Sequence, residues 1–332
     1  MNPASAQVCQ KGAQSRPRPF TDISGDGALI KLGEVLKSRL YRFTTVTPAT
    51  HERVNRRPGS EWATNLEGIF GWNRPFHASV IPVDILELMH EANAVLTDTE
   101  GWHSMLRVST LGNNLFFHSA YPTKEEDAVF FGPDTYRFVA AVDAHLDERS
   151  TPVRRAVDIG CGAGPGAIGM AIRYPQAEVL AVDINSKALR ATSINASLAS
   201  AHNITTHYSD LLNDTAGTFD LIIANPPYMV DPVGRAYRHG GGLLGAGLSL
   251  AIVDAAVHRL RPGGSLVLYT GVAIVEGVDP FHLVIEEKLL DRKFRWSYRE
   301  IDPDVFGEEL SGAVYSGVDR IAAVVLTVTL DH

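Results

Sequence analysis

Cysteine is nearly absent: the 332 residues hold two, Cys9 in a polar stretch and Cys161 in a glycine-rich turn. A pair so placed excludes a disulfide framework and fits a reducing, cytoplasmic setting. Long apolar runs are missing as well. None approaches about 18 residues, so no membrane-spanning helix is expected, and MNPASAQVCQKGAQSRPRPF lacks the apolar core of a secretory leader. There is no excess of basic residues. Formal net charge is -8, and residues 131–332 hold 17 Lys/Arg against 24 Asp/Glu. A nucleic-acid footprint would show the opposite balance. Two small basic clusters, HERVNRR (His51 to Arg57) and DRKFRWSYR (Asp291 to Arg299), read as solvated faces. What is present is an ordinary globular balance, 45% hydrophobic and 20% charged, in a chain long enough for two domains.

Residues 1–24 read as a mobile polar tail. Residues 25–128 read as a smaller α+β domain serving as a recognition module or lid. In it, Leu29, Leu32, Val35, Leu36 and Leu40 fall at helical spacing. VIPVDILELMHEANAVL is a second amphipathic helix, and MLRVSTLGNNLFFHSAY alternates as a hairpin around Gly112-Asn113-Asn114. From residue 129 to 332 the texture changes. After the helix DTYRFVAAVDAHL, apolar strands such as RAVDIG, EVLAVDI, DLIIAN, GSLVLYTG and IAAVVLTVTL alternate with segments of helical length. Continuous apolar strands between helices predict a doubly wound, mainly parallel α/β sheet of Rossmann-like type with seven strands, covered on both faces.

Two motifs carry the chemistry. The first strand-to-helix junction reads VDIGCGAGPGAIGMA, so Asp158 closes a strand just before Gly160, Gly162 and Gly164. Glycines there allow a sharp turn and close backbone approach to a ligand. The next strand ends AVDIN, which puts Asp183 where a carboxylate accepts ribose hydroxyls. Cys161 has no evident histidine partner for a nucleophile. The second motif is Asn225-Pro226-Pro227-Tyr228, which ends the apolar strand FDLIIA. Ligands of doubly wound sheets gather at the carboxyl ends of strands. Prolines fix the backbone and remove N–H donors, leaving carbonyl acceptors. The Asn225 side-chain carbonyl and the Pro226 main-chain carbonyl can both accept from one amino group, turning its lone pair outward. Tyr228 offers an aromatic face to a planar substrate or a cation.

From about Val129 to Leu330 this pattern resembles the class I S-adenosylmethionine-dependent methyltransferases of the NPPY branch, including the small-domain and release-factor glutamine N5-methyltransferase types. The resemblance implies that Asp158 and the Gly160–Gly164 loop cradle the methionine part of S-adenosylmethionine. It also implies Asp183 on ribose, Ile184 on adenine, and Asp210 with Leu211 at the adenine amino group. Asn225, Pro226 and Tyr228 would form the catalytic rim, with Pro227 and Tyr136 bordering the acceptor. No metal is implied. RAYRHGGGLLGAGLSLAIVDAAVHRLRPGGSLVLYTG is similar to the segment that follows this motif in those families. FFGPDTYRF stands where release-factor enzymes carry a Pro-Glu-Thr-Glu-like sequence, so the acceptor is not matched by the resemblance.

Three activities follow. Methyl transfer to a planar nitrogen, on a protein glutamine or a small amine or heteroaromatic compound, leads. The same transfer to a nucleobase of RNA or DNA is disfavoured by the acidic balance. In the third, the amine of S-adenosylmethionine attacks its own γ-carbon, releasing methylthioadenosine and giving azetidine-2-carboxylate. Val305 to Tyr315 reads as a loop at the site mouth.

Overall fold

A computed structural model describes residues 19–20, 23–99, 101–231, 234–235, 237–290 and 293–331. Most of the polar tail expected at 1–24 lies outside them; of its end, Phe20 is buried and Ile23–Gly25 form a 3-10 turn. Helix α1 (Asp26–Ser38) buries Leu29, Leu32 and Leu36 as the spacing predicts, whereas Leu40 lies past its end and is exposed. Helix α2 (Pro48–Asn55) starts where the Thr47 hydroxyl accepts from the Thr50 amide, a side-chain cap, with proline in the first turn. Helix α3 (Val83–Glu91) packs on α1. Two antiparallel pairs follow, β1 (Val95–Thr97) with β2 (Trp102–Ser104) and β3 (Leu106–Leu111) with β4 (Asn114–Ser119). The second pair turns at Gly112, whose φ of +59° suits glycine.

Helix α4 (Pro133–Glu148) leads into the sheet: β5 (Arg155–Ile159), α5 (Pro165–Arg173), β6 (Glu178–Asp183), α6 (Ser186–Leu198), β7 (Ile204–Tyr208), β8 (Phe219–Ala224), α7 (Gly247–Val257), β9 (Leu260–Ile274), α8 (Pro280–Lys288), β10 (Phe294–Asp302) and β11 (Arg320–Leu330). The seven strands lie in the order β10-β11-β9-β8-β5-β6-β7. Strands β5 to β9 are mutually parallel, and β11 enters antiparallel between β9 and β10. The expected doubly wound α/β sheet is therefore present, with an α+β N-terminal part. Its apolar strands are buried because helices cover both faces.

The basic stretch DRKFRWSYR is a solvated face on one side, and on the other it is the inner face of a strand. Phe294, Trp296 and Tyr298 alternate with exposed Arg295, Ser297 and Arg299 along the edge strand β10. The three aromatics pack on the core while the charges face water. The intervening arginines disguised a strand of period two.

Strand order reverses between β5 and β8, where Asp158 pairs in register with Ile223 and Ile159 with Ala224. The turn after β5 and the turn after β8 thus open side by side at the switch point. The N-terminal part shares one apolar cluster with the sheet, from Leu29, Leu32 and Phe117 to Ala163, Ala167 and Ile194. Fully buried Asn195 of α6 joins them. Its Oδ1 accepts from the Phe117 amide at 2.9 Å, and its Nδ2 donates to the carbonyls of Phe117 and Ala163 at 3.0 and 2.8 Å. This rigid tie reaches the glycine turn from the β3–β4 hairpin.

Candidate active site

At the switch point lies a cavity of about 210 Å³ lined by Asp158, Gly160, Gly162, Asp183, Ile184, Asp210, Leu211 and all four residues of Asn225-Pro226-Pro227-Tyr228. Thirteen residues were singled out from sequence, and the eleven of these named here share its wall. Gly164 stands just behind it as the N-cap of α5, with φ +83°, and a Cβ there would press on Thr192 at 2.9 Å. Gly160 and Gly162 also hold positive φ, +70° and +55°, which favours glycine over any other residue. Their turn is pinned from β6. The amides of Gly160 and Cys161 donate to the Val182 carbonyl, and the Gly162 amide donates to Asp183 Oδ2 at 3.0 Å.

Of the carboxylates at this end, Asp158 is buried, Asp183 is half-buried and Asp210 is exposed. Asp183 also accepts from the Asn185 amide at 2.8 Å through Oδ1, which fixes its plane, while burial raises its pKa. Asp158 accepts from the Ala167 amide at 2.8 Å, and burial pushes its carboxyl up to about 7. That group is held close to its titration point in water-poor surroundings. Such a carboxyl suits a cationic ligand, whose charge would restore the ionised form. Ile184 leaves 51% of its surface open beside it, a large apolar face on the cavity wall fit for a flat ring. Cys161 is buried beside Asp183 and Asp158, and desolvation drives its thiol pKa well up, so it is no nucleophile.

Tyr228 is 6% exposed and does more than present a ring. Its hydroxyl donates to Asp134 Oδ2 at 2.6 Å, and the Tyr269 hydroxyl donates to Asp134 Oδ1 at the same distance. Half-buried Arg137 bonds Asp134 at 3.2 Å and Asp302 at 2.7 Å, extending this buried pair of bonds toward the surface. Asp134 sits in the first turn of α4, where helix N-termini favour negative charge. Asp134 belongs to FFGPDTYRF, the segment that departs from the release-factor pattern. Sequence reasoning watched Tyr136 instead, and there the structure corrects it: Tyr136 is not among the lining residues. Its hydroxyl accepts from the Thr45 amide at 3.0 Å and its ring meets Phe131 edge-on, so it ties α4 to the N-terminal part. A two-residue step along a helix turns a side chain by roughly 200°, which separates Asp134 from Tyr136.

Two glycine features also escaped sequence reasoning. Gly271 of β9 lies against the Tyr228 ring so closely that a Cβ would enter it. Gly240 and Gly245 of the segment HGGGLLGAG pack on the main chain of Pro227 and Tyr228, again with no room for a Cβ. The Gly240 amide donates to the Met229 carbonyl and the Met229 amide to the Arg238 carbonyl. That glycine-rich segment is the clamp that holds the proline turn. The loop from Val305 to Tyr315 lies at the mouth as expected: Phe306 meets the Tyr228 ring edge-on at 5.9 Å, and the Tyr315 hydroxyl accepts from the Val230 amide at 2.8 Å.

With this geometry, residues 140–272 match the family model described as the methyltransferase small domain. The release factor glutamine methyltransferase of Koribacter versatilis is 29% identical over 189 residues, covering 53% of this chain and 62% of its own. The ribosomal protein uL3 glutamine methyltransferase of Neisseria meningitidis serogroup A is 34% identical over 130 residues, 36% of this chain and 43% of its own. The 4-amino-L-phenylalanine/4-methylamino-L-phenylalanine methyltransferase of Streptomyces pristinaespiralis is 28% identical over 186 residues, 52% of this chain and 60% of its own. The chain thus spans 43 to 62% of these relatives. Glycine turn, paired carboxylates and proline turn all fall inside or beside the small-domain match. No helix among the described residues is long and apolar enough to cross a membrane.

Proposed function

We propose that this protein transfers the methyl group of S-adenosylmethionine to a planar nitrogen, either a glutamine amide or the amino group of a small amine or heteroaromatic compound. The observation that carries this reading is one cavity lined by both the glycine turn with its carboxylates and the Asn225-Pro226-Pro227-Tyr228 rim. The residues present fit the cofactor: the turn lets backbone approach closely, Asp183 offers acceptors to a diol, and Ile184 offers an apolar face. The cofactor supplies an electrophilic methyl on a sulfonium; when the acceptor nitrogen takes it, the carbon–sulfur bond breaks, S-adenosylhomocysteine leaves and the nitrogen gives up a proton.

The chain's own part is orientation. An amide or aryl amine has a delocalised lone pair, and the Asn225 and Pro226 oxygens would accept from its N–H groups. Those bonds strengthen as the nitrogen becomes tetrahedral and positive, so they favour the transition state over the ground state. Proline at 226 and 227 and the glycine clamp behind them would keep the acceptors from rearranging. Positioning of this kind is worth up to roughly 7–11 kcal/mol. The proline turn needs no general base within it, since the proton leaves after transfer. Two relatives named as glutamine methyltransferases and one named for an amino-phenylalanine support nitrogen as the acceptor atom. Residues 25–128 would cover the site as a recognition module or lid. Kinetics of Asn225→Ala test the role: kcat should fall about 10²- to 10³-fold, the loss typical of one transition-state hydrogen-bonding group. An unchanged kcat would remove Asn225 from the machinery.

A further inference from the structure

A second cavity, of about 540 Å³, lies between the N-terminal part and the sheet. It shares Val129, Phe130, Asp134, Tyr237, Arg238 and Phe306 with the first as common wall, so the two adjoin at the Tyr228 side. Four arginines line it in a chain of net charge -8. Three are tied to carboxylates: Arg137 to Asp134 and Asp302, Arg235 to Asp231, and Arg238 to Glu309. Arg107 of β3 differs. It is 5% exposed, and among the described residues it has no carboxylate partner. Its Nε donates to the Gly71 carbonyl at 3.0 Å, while its Nη2 is buried with no protein partner among them. Aromatic rings of Phe43 and Tyr121 flank the guanidinium at 5.7 and 5.9 Å.

A buried guanidinium without a counter-charge is destabilising unless an anion completes it. Burial lowers its pKa to about 10, so it keeps its charge at neutral pH. The neighbouring side chains do not supply the missing charge: His118 is engaged with Ser109 at 2.8 Å, and the Tyr121 hydroxyl with Glu52 at 3.2 Å. The remaining carboxylates of the cavity, Asp304 and Glu308, are exposed loop groups. A guanidinium fork matches a carboxylate with two parallel bonds.

We infer that Arg107 binds a free carboxylate on the acceptor, with the acceptor's nitrogen at Asn225 and its body against Phe130 and Phe306. The inference rests on the methyl-transfer reading and narrows it: the acceptor is a small amino- or amide-bearing acid, such as an amino acid, and not a side chain of a folded protein. A glutamine inside a polypeptide has no carboxylate at that place. The N-terminal part is then a wall of the acceptor pocket, tied to the glycine turn through Asn195.

Matched probes with and without the carboxylate make the test. Purified protein with S-adenosylmethionine would be given 4-amino-L-phenylalanine, L-glutamine and 4-aminobenzoate, each beside its counterpart lacking the acid (4-(2-aminoethyl)aniline, 4-aminobutanamide and aniline). Binding is measured in the presence of S-adenosylhomocysteine, and turnover by mass spectrometry. At least one acid should bind 10- to 100-fold more tightly than its counterpart, the range of a charge-assisted hydrogen-bonded pair. Arg107→Met should shrink that ratio toward one and Arg107→Lys should restore part of it, with S-adenosylhomocysteine binding as the check on folding. Equal binding of acid and counterpart by the unaltered protein, or binding of none of the acids, overturns the inference without needing any variant. The methyl-transfer reading fails separately, if an acid binds selectively but methylthioadenosine is the product.

Discussion

Asp158→Asn keeps the side chain's shape and an acceptor for the Ala167 amide, while removing the charge. In the unaltered chain, burial raises this carboxyl from 3.8 to about 7. Ionising it inside the fold is therefore unfavourable. The penalty is absent below about pH 4, grows as pH rises, and is complete above about pH 7. At 1.36 kcal/mol per pKa unit, the cofactor-free protein gives up on the order of 4 kcal/mol at pH 8 and about 2 kcal/mol at pH 5. The asparagine variant carries no such penalty. Chemical unfolding of both chains without cofactor, at pH 5 and pH 8, should show the variant more stable, by more at the higher pH. Its affinity for S-adenosylmethionine should move the opposite way. A cationic ligand beside Asp158 draws the carboxyl back to its ionised form, so affinity in the unaltered chain should rise with pH up to about 7 and lose that dependence in the variant. A variant that is equally stable at both pH values relative to the parent, or that binds the cofactor as well as the parent, would refute the reasoning.

Three further outcomes are expected. Gly271→Ala places a methyl group inside the Tyr228 ring, so the ring must shift; kcat should fall about tenfold or more, as overpacking of 1–3 kcal/mol implies, whereas cofactor affinity measured by calorimetry should hold. Unchanged kcat would show that the ring's position does not matter. Asp134→Ala leaves the Tyr228 and Tyr269 hydroxyls buried without their acceptor, and should lower unfolding stability by about 2–4 kcal/mol; a loss under about 0.5 kcal/mol would contradict the network. Replacing Val305–Tyr315 by a short glycine–serine link removes Phe306 from the cavity wall and the Tyr315 bond to Val230. Acceptor KM should rise about tenfold while cofactor affinity holds, and an unmoved KM would take the loop out of the substrate pocket.

The sheet and the cofactor end of the site were legible because their signals are local in the chain. Gly160, Gly162 and Gly164 follow Asp158 directly, Asp183 ends the next apolar strand, and Asn225 ends another. Strand ends of a doubly wound sheet meet by topology, so spacing alone brings these residues together. What stayed hidden depends on contacts across the fold. Gly271 gives no sign in YTG that it makes room for Tyr228, 43 residues earlier in the sequence. Asp134 and Tyr136 share one helix turn, and only the direction of the helix decides that the first reaches the cavity and the second the N-terminal part. Strand β10 was masked by its own alternation, since three arginines and a lysine outweighed Phe294, Trp296 and Tyr298 in the reading. Arg107 was an unremarkable residue of a hairpin until burial without a counter-charge set it apart from the other arginines.

The central claim is that a methyl group leaves S-adenosylmethionine for a nitrogen held at Asn225, and product identity tests it most directly. Purified protein would be incubated with S-adenosylmethionine alone and with the amino-acid probes, and the adenosine products separated by mass spectrometry, with Asn225→Ala alongside. The account predicts S-adenosylhomocysteine only when an acceptor is added, a matching gain of one methyl group on that acceptor, and loss of both in the variant. Methylthioadenosine formed with no acceptor present, and abolished by Asn225→Ala, would contradict it, because the cofactor would then be its own substrate.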